Sequence, residues 1–380
     1  MPKRHIKQCL SKFRKGRIIL KDILISGYYG FKNSGDDALL QAIVSDLKEY
    51  KEDVTLTVLS NSPEETEKIY KVRAVSRLNP ISVLGAILKS KMLLSGGGTL
   101  IQDRTSTKSL IYYLAIIKLA HIFGKKVMLY SNGIGPLRDE HKKITGKILN
   151  KVDIITLRDK DSMNELEELA VTKPKIYLTA DPAFSLEGDD KDNRVLSELG
   201  FSPEDKIACI SVRNWKTLKD NFCDEVAKTA DYLASELGYK ILFMPMQPAR
   251  DYELSKKIML FMNEESKCIE GKISVDDTLA VMKNAKLCIG MRLHSLIYAA
   301  SNGVPVTGLV YDPKIAGFMD YIGQPYYMDV EDVSFEKLKE LTEKCIEDVC
   351  DIEENIVELK KKAKLNAELA IKLLEKGRKF

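Results

Sequence analysis

Histidine is scarce in this chain: His5, His121, His141 and His294 are the four present, with no HExxH motif and no pair at helix spacing. The seven cysteines (Cys9, Cys209, Cys223, Cys268, Cys288, Cys345, Cys350) lie far apart and form no CxxC. A zinc site is therefore not expected, and an odd thiol count without a framework fits a reducing compartment. Long apolar runs are also lacking. The longest, residues 110–123, is broken by Lys118 and His121, too short and too interrupted to span a bilayer. No apolar stretch of the signal-peptide kind stands at the N-terminus, and a cytoplasmic protein is expected. Net charge is low, at +4, but unevenly spread. Residues 1–21 hold eight Lys or Arg and no acid, so the rest of the chain is net −4. A mildly acidic body argues against a nucleic-acid groove, while the arm remains free to bind a surface.

What is present is an ordinary globular balance, 44% hydrophobic and 30% charged over 380 residues, enough for two domains. Short apolar runs at 23–26, 54–59, 92–95, 126–130, 154–157 and 176–178 read as strands, with helical segments between them. A second series of strands follows at 207–212, 240–244, 287–289 and 305–310. Such alternation implies α/β architecture with parallel sheets. The polar run 187–193 suits a linker. The expected organisation is a basic arm (1–21), a Rossmann-like domain (22–190), a second one (200–330) and a helical tail (333–380). In the tail, Ile352, Ile356, Leu359, Leu365, Leu369 and Leu373 recur at roughly helical spacing, to pack along the outside of the domains. Two doubly wound domains form a cleft between the carboxyl ends of their strands, where ligands bind.

Four segments at such ends carry candidate chemistry. In Gly27-Tyr-Tyr-Gly30-Phe-Lys-Asn33-Ser-Gly35-Asp36-Asp37 the glycine spacing is not that of a dinucleotide loop. Asp36 and Asp37 complement the helix dipole, a purely structural role; Asp36, nearer the loop, is also a candidate for contacting or deprotonating a sugar hydroxyl. Gly96, Gly97 and Gly98 directly after a strand are expected to form a loop facing a ligand, with tight packing as the alternative. Arg138, after the turn at 132–136, is either an anion contact or a solvated surface residue. In the second domain, Arg213 in Ser-Val-Arg-Asn-Trp, Arg292 and His294 flanking Leu293, and Lys314 after Tyr-Asp-Pro bring three cations and a histidine to one sheet edge. Arginine forks and a lysine suit a small ligand with several negative charges, and histidine suits proton transfer.

These segments, GYYGFKNSGDDA, SGGGTLIQD, SNGIGP, RDKDS, ADPAF, SVRNW and GMRLHS in that order over about residues 22–325, resemble the polysaccharide pyruvyl transferase family. The resemblance is closest to the CsaB type, which pyruvylates secondary cell-wall polymers. It implies a GT-B-like fold, two Rossmann-like domains facing a central cleft. It implies phosphoenolpyruvate as donor substrate and a pyruvate ketal as product; no cofactor is expected, and nothing in the sequence demands a metal. The implied acceptor is N-acetylmannosamine on a lipid-linked precursor, at the inner face of the membrane, in support of S-layer anchoring. By position, His294 resembles the family's catalytic histidine. Arg292 and Arg213 match the arginines that hold phosphoenolpyruvate, with Leu293 between Arg292 and His294, and Lys314 matches a functionally important lysine. Asp36, with Gly30, Asn33, the 96–98 glycines and Arg138, lies on the acceptor side. The basic arm is outside the resemblance. If helical, its Ile6, Cys9, Leu10 and Phe13 make a weakly amphipathic face able to lie on an anionic membrane; a plain disordered extension is the alternative. A nucleotide-sugar glycosyltransferase and a non-catalytic anion or sugar binder are the competing readings.

Overall fold

The computed structural model describes residues 21–104, 106–189, 194–348 and 353–376. Two parallel sheets form in sequence. The first holds β1 (Lys21–Ser26), β2 (Leu56–Ser60), β3 (Arg73–Ser76), β4 (Ser90–Ile101), β5 (Lys126–Ile134), β6 (Ile154–Leu157) and β7 (Lys175–Leu178). Their spatial order is β3-β2-β1-β4-β5-β6-β7. The second holds β8 (Ile207–Ser211), β9 (Lys240–Phe243), β10 (Ser266–Cys268), β11 (Ala285–Gly290), β12 (Val306–Val310) and β13 (Tyr327–Asp329), in the order β10-β9-β8-β11-β12-β13. Both are doubly wound, with their order reversing between β1 and β4 and between β8 and β11. Helices cover both faces of each sheet, and strands such as β2, β6, β8 and β12 are buried along their whole length. Continuous burial is why they read as unbroken apolar runs rather than alternating ones.

Three departures from expectation have local causes. Gly96–Gly98 are not a loop: β4 runs on to Ile101, and the three glycines are buried inside it. The pairing with β5 shifts between Gly98 and Ile101, so the glycines serve an irregular strand end. The strand β5 likewise continues through Asn132 and Gly133. The basic arm is shorter than expected, because Lys21 already belongs to β1; residues 1–20 lie outside the described ones. The tail is helical as expected, with helices at Phe335–Glu347 and Glu353–Glu375.

The last helix does more than cover the outside. Its Ile356, Leu359 and Ala363 join a core of the second domain, while Ala367, Ala370 and Ile371 join one of the first. Three of these six contact residues are alanines, and Leu365 and Leu369 are only half-buried. Buried Asn366 accepts a bond from the Thr179 hydroxyl (2.9 Å) and donates to the Ala180 carbonyl (3.2 Å). This helix fastens the two domains together immediately beside Asp181.

Candidate active site

Each functional side chain stands just beyond a strand's carboxyl end, near the two points where the strand order reverses. The second-domain cations follow three adjacent strands: Arg213 after β8, Arg292 after β11 and Lys314 after β12. Arg292 caps the helix Leu293–Ser301, so His294 lies in that helix's first turn. From the first domain, the helix Ser34–Tyr50 starts with Asp36 and Asp37 facing it. The Tyr298 hydroxyl donates to the Ser34 carbonyl (3.1 Å), and Lys272 pairs with Asp37 (2.9 Å), which ties the start of the helix Ser34–Tyr50 to the second domain.

Gly35 permits this approach. A Cβ there would stand 2.2 Å from His294 Nδ1, so only glycine leaves room for the imidazole. Gly35→Ala should displace the ring and cut turnover by at least about tenfold, a loss of the size expected when a proton-transfer group is moved out of reach. Steady-state kinetics beside a thermal melt would check this, and wild-type turnover would remove the steric argument.

The His294 Nε2 atom is buried with no hydrogen-bond partner and lies 3.9 Å from Asp181 Oδ2. Asp181 is itself held: it accepts from the Ala183 amide (3.0 Å) and from Arg158 Nη1 (2.7 Å). Arg158 also donates to Thr99 Oγ1 (3.0 Å), joining the ends of β4 and β6. Burial pulls the His294 imidazole down to about 4; Asp181 opposes this, and Arg158, Lys314 and Arg292 add to it. Asp36 goes the other way. Burial, with Asp37 adding to it, pushes its carboxyl up to about 7 against the pull of Asn33, Arg158 and Lys314. Near neutrality the resting site therefore keeps its imidazole uncharged and its carboxyl partly protonated.

The cations differ in how far they are engaged. Arg292 gives its Nε (2.9 Å) and Nη2 to the fully buried Asp251, a fork that fixes the guanidinium. Arg213 donates to the Tyr311 hydroxyl (2.7 Å), lies over the rings of Tyr311 and Trp215, and has a buried Nε without a partner. Among the described residues it pairs with no carboxylate. Lys314 lies 3.7 Å from Asp312 and is more than a third exposed. Arg213 and Lys314 thus keep donors free for an incoming anion.

The remaining expected residues fall in different places. Asn33 donates to Asp36, and Gly98 faces it: a Cβ on Gly98 would lie 3.6 Å from Asp36 Oδ1. Gly96 and Gly97 pack against Tyr29 and Leu39, and Gly30 against Ser60–Ser62. Leu293 is buried in the second-domain core. Arg138 is exposed, 4.0 Å from Glu140, with no contact to the group around His294. Sequence reasoning gave no role to Arg158, Asp181, Thr99 or Asp251. The first two sit in RDKDS and ADPAF directly after strands, a readable signal. Asp251 lies in the helix Pro248–Met259 with no motif to mark it.

The family model for polysaccharide pyruvyl transferases matches residues 33–313. The chain belongs to the polysaccharide pyruvyl transferase family. No curated protein sequence matches it. Among solved structures, it is similar to the UDP-GlcNAc 2-epimerase of Methanocaldococcus jannaschii, at 14% identity and a TM-score of 0.63, over 92% of this chain and 99% of that one. The UDP-GlcNAc 2-epimerase of Neisseria meningitidis bound to UDP-GlcNAc gives 10% identity and 0.61, over 93% and 100%. A glycosyltransferase of Rickettsia africae gives 12% and 0.57, over 94% and 100%. At these identities the likeness is one of fold, and the fold is GT-B-like.

Proposed function

We propose that this family member moves pyruvate from phosphoenolpyruvate onto two hydroxyls of one sugar as a ketal, releasing phosphate. The observation that supports it best is the meeting of His294, the three cations Arg158, Lys314 and Arg292 and a carboxyl pushed up to about 7, with Arg213 and Lys314 sharing the Tyr311 side chain beside them. Phosphoenolpyruvate carries a carboxylate and a phosphate on one carbon skeleton. Arg213 and Lys314 receive these charges, and Arg158 and Arg292, held by Asp181 and Asp251, frame them. Burial is the main cause of the low His294 value, and anions placed among the cations offset the cations' share of it and attract the imidazolium themselves, so the ring's hold on a proton rises as the donor binds. His294 then gives a proton to C3, leaving positive character at C2. The oxygen of a sugar hydroxyl bonds to C2 while Asp36 takes its proton. The C2–O bond to phosphate breaks with the electron pair leaving on phosphate, and the oxygen of the second hydroxyl bonds to C2 and closes the ring, giving its proton to the now neutral His294.

We take the acceptor to be N-acetylmannosamine of a lipid-linked cell-wall polymer precursor, as in the CsaB type, with the product serving S-layer anchoring and the reaction running at the inner membrane face. The test is incubation with phosphoenolpyruvate and a panel of soluble and lipid-linked disaccharides, with nucleotide sugars in parallel. Acceptor-dependent phosphate release with a ketal seen by NMR is expected. Turnover of a nucleotide sugar with phosphoenolpyruvate left intact would overturn the reading in favour of glycosyl transfer.

A further inference from the structure

The mild acidity of the body conceals a block of opposite character. Between residues 68 and 138 the sequence holds twelve Lys or Arg and a single acid, Asp103. That acid is buried, bonded to His141 and to the Arg138 amide, so it offers no charge to solvent. The block includes the helices Pro80–Lys89 and Thr107–Ile122. Both feed one core, through Val83 and Ile87 on the first and Leu110, Leu114 and Ile117 on the second, and so cover the same face of the first sheet. Their N-terminal ends meet: the Tyr112 hydroxyl donates to the Arg77 carbonyl (3.4 Å), and Arg77 Nη2 donates to the Tyr113 hydroxyl (3.4 Å).

The outward side of this pair is apolar where a solvated helix would be polar. On Thr107–Ile122 the exposed residues are Lys108, Ile111, Ala115, Lys118 and Ile122, a stripe at three- and four-residue spacing without an acid. Ile111 is 56% and Ile122 61% exposed. Across from them, Leu78 is 73% and Ile81 83% exposed, with Leu84 one turn further on. Lys89, Lys108 and Lys118 stand exposed around these side chains and pair with no acid among the described residues. No described helix is long and apolar enough to cross a membrane, so the face can lie on a bilayer without spanning it.

We infer that this face docks the enzyme on an anionic lipid surface. Aliphatic side chains enter the headgroup boundary while the lysines meet acidic headgroups, the pattern of interfacial helices. A second copy of the chain is a poor occupant, because a two-fold interface would set Lys89, Lys108 and Lys118 against the same three lysines with no acid on the face to pair them. Docking also sets the cleft beside the membrane. Arg77 Nη1 donates to the Gly27 carbonyl (2.9 Å), so the rim carrying Leu78 and Ile81 adjoins the loop that leads to Asp36. The inference rests on this surface alone and not on the chemistry proposed above, and it assigns to the folded body what the sequence suggested for residues 1–20.

The test is flotation of the full-length protein with vesicles of phosphatidylglycerol and phosphatidylcholine, compared with phosphatidylcholine alone. Binding to the acidic vesicles is expected, weakening as salt rises. Ile81→Ser with Ile111→Ser should reduce it at least about tenfold. Replacing Lys89, Lys108 and Lys118 by Gln should do so too, at roughly fivefold per lysine. All these positions are exposed, so thermal melts and turnover of a soluble acceptor should match wild type. Wild-type binding by both variants would overturn the proposal, as would equal binding to neutral vesicles. So would binding lost only with the lysines and not with the isoleucines, which would mark a polyanion site. A variant that changed the sedimentation of the free protein but not vesicle binding would mark a contact between copies and would also overturn it.

Discussion

His294→Ala should lower turnover by at least about 10²-fold with the fold intact, the range that a positioned acid contributes. The side chain makes no hydrogen bond through Nε2 and rests on Gly35 and beside Tyr298, so its loss removes little that holds the domains together. Its resting state gives the prediction a second part. An imidazole pulled down to about 4 is uncharged at pH 7 and cannot act as an acid. It becomes one only if the ligand changes its surroundings, and a phosphate and a carboxylate placed among Arg158, Lys314 and Arg292 would do so. NMR of labelled histidine should therefore show a ring that titrates near 4 in the free protein and well above that once phosphoenolpyruvate is bound. A ring that keeps its low value in the complex, together with near wild-type turnover in the alanine variant, would take His294 out of the proton-transfer role.

Much of the fold was legible because parallel, doubly covered strands leave long apolar runs, and every crossover inserts a helix. What was missed was short or irregular. The strands β3, β10 and β13 have three or four residues, too few for a hydrophobic pattern to stand out. The glycines of β4 resembled a turn because only the pairing with β5 shows that the strand continues. Among the candidate site residues, His294, Arg292, Arg213, Lys314 and Asp36 could be singled out from the sequence because each follows a strand that the pattern reveals. Asp251 was invisible. A helix residue forty-one positions before Arg292 becomes its partner only through the packing of β9 against β8, a tertiary fact that no local spacing carries. The charge of the 68–138 block was in plain view but cancelled in the total. Averages over a chain hide what one face concentrates.

His294 and Asp36 differ in environment, one pulled down to about 4 and the other pushed up to about 7, which suits the different proton-transfer roles proposed for them. Asp36→Asn is expected to lose about 10²–10⁴-fold in turnover, since an amide cannot take the acceptor hydroxyl's proton. The shape is kept, because the amide oxygen can still accept from Asn33. In the proposed mechanism, the carboxylate form is the base. With His294 as an acid that starts from about 4 and Asp36 as a base that starts from about 7, the free enzyme's kcat/KM should stay level between those values with a falling limb above about 7, whereas in the variant the fall should begin near 4. Stability supplies a readout that separates this role from a structural one. A carboxyl pushed up on folding holds its proton more tightly in the native state than in the unfolded chain, where it titrates near 3.8. Its contribution to stability is therefore complete below about 4 and is lost as pH rises through about 7. Asparagine never ionises and loses nothing over that range. Asp36→Asn should then melt above the wild type at pH 8, with the difference closing as the pH falls toward 4. A variant that is less active and less stable at every pH would show Asp36 to be a packing residue, and an unchanged pH limb would assign the base to another group.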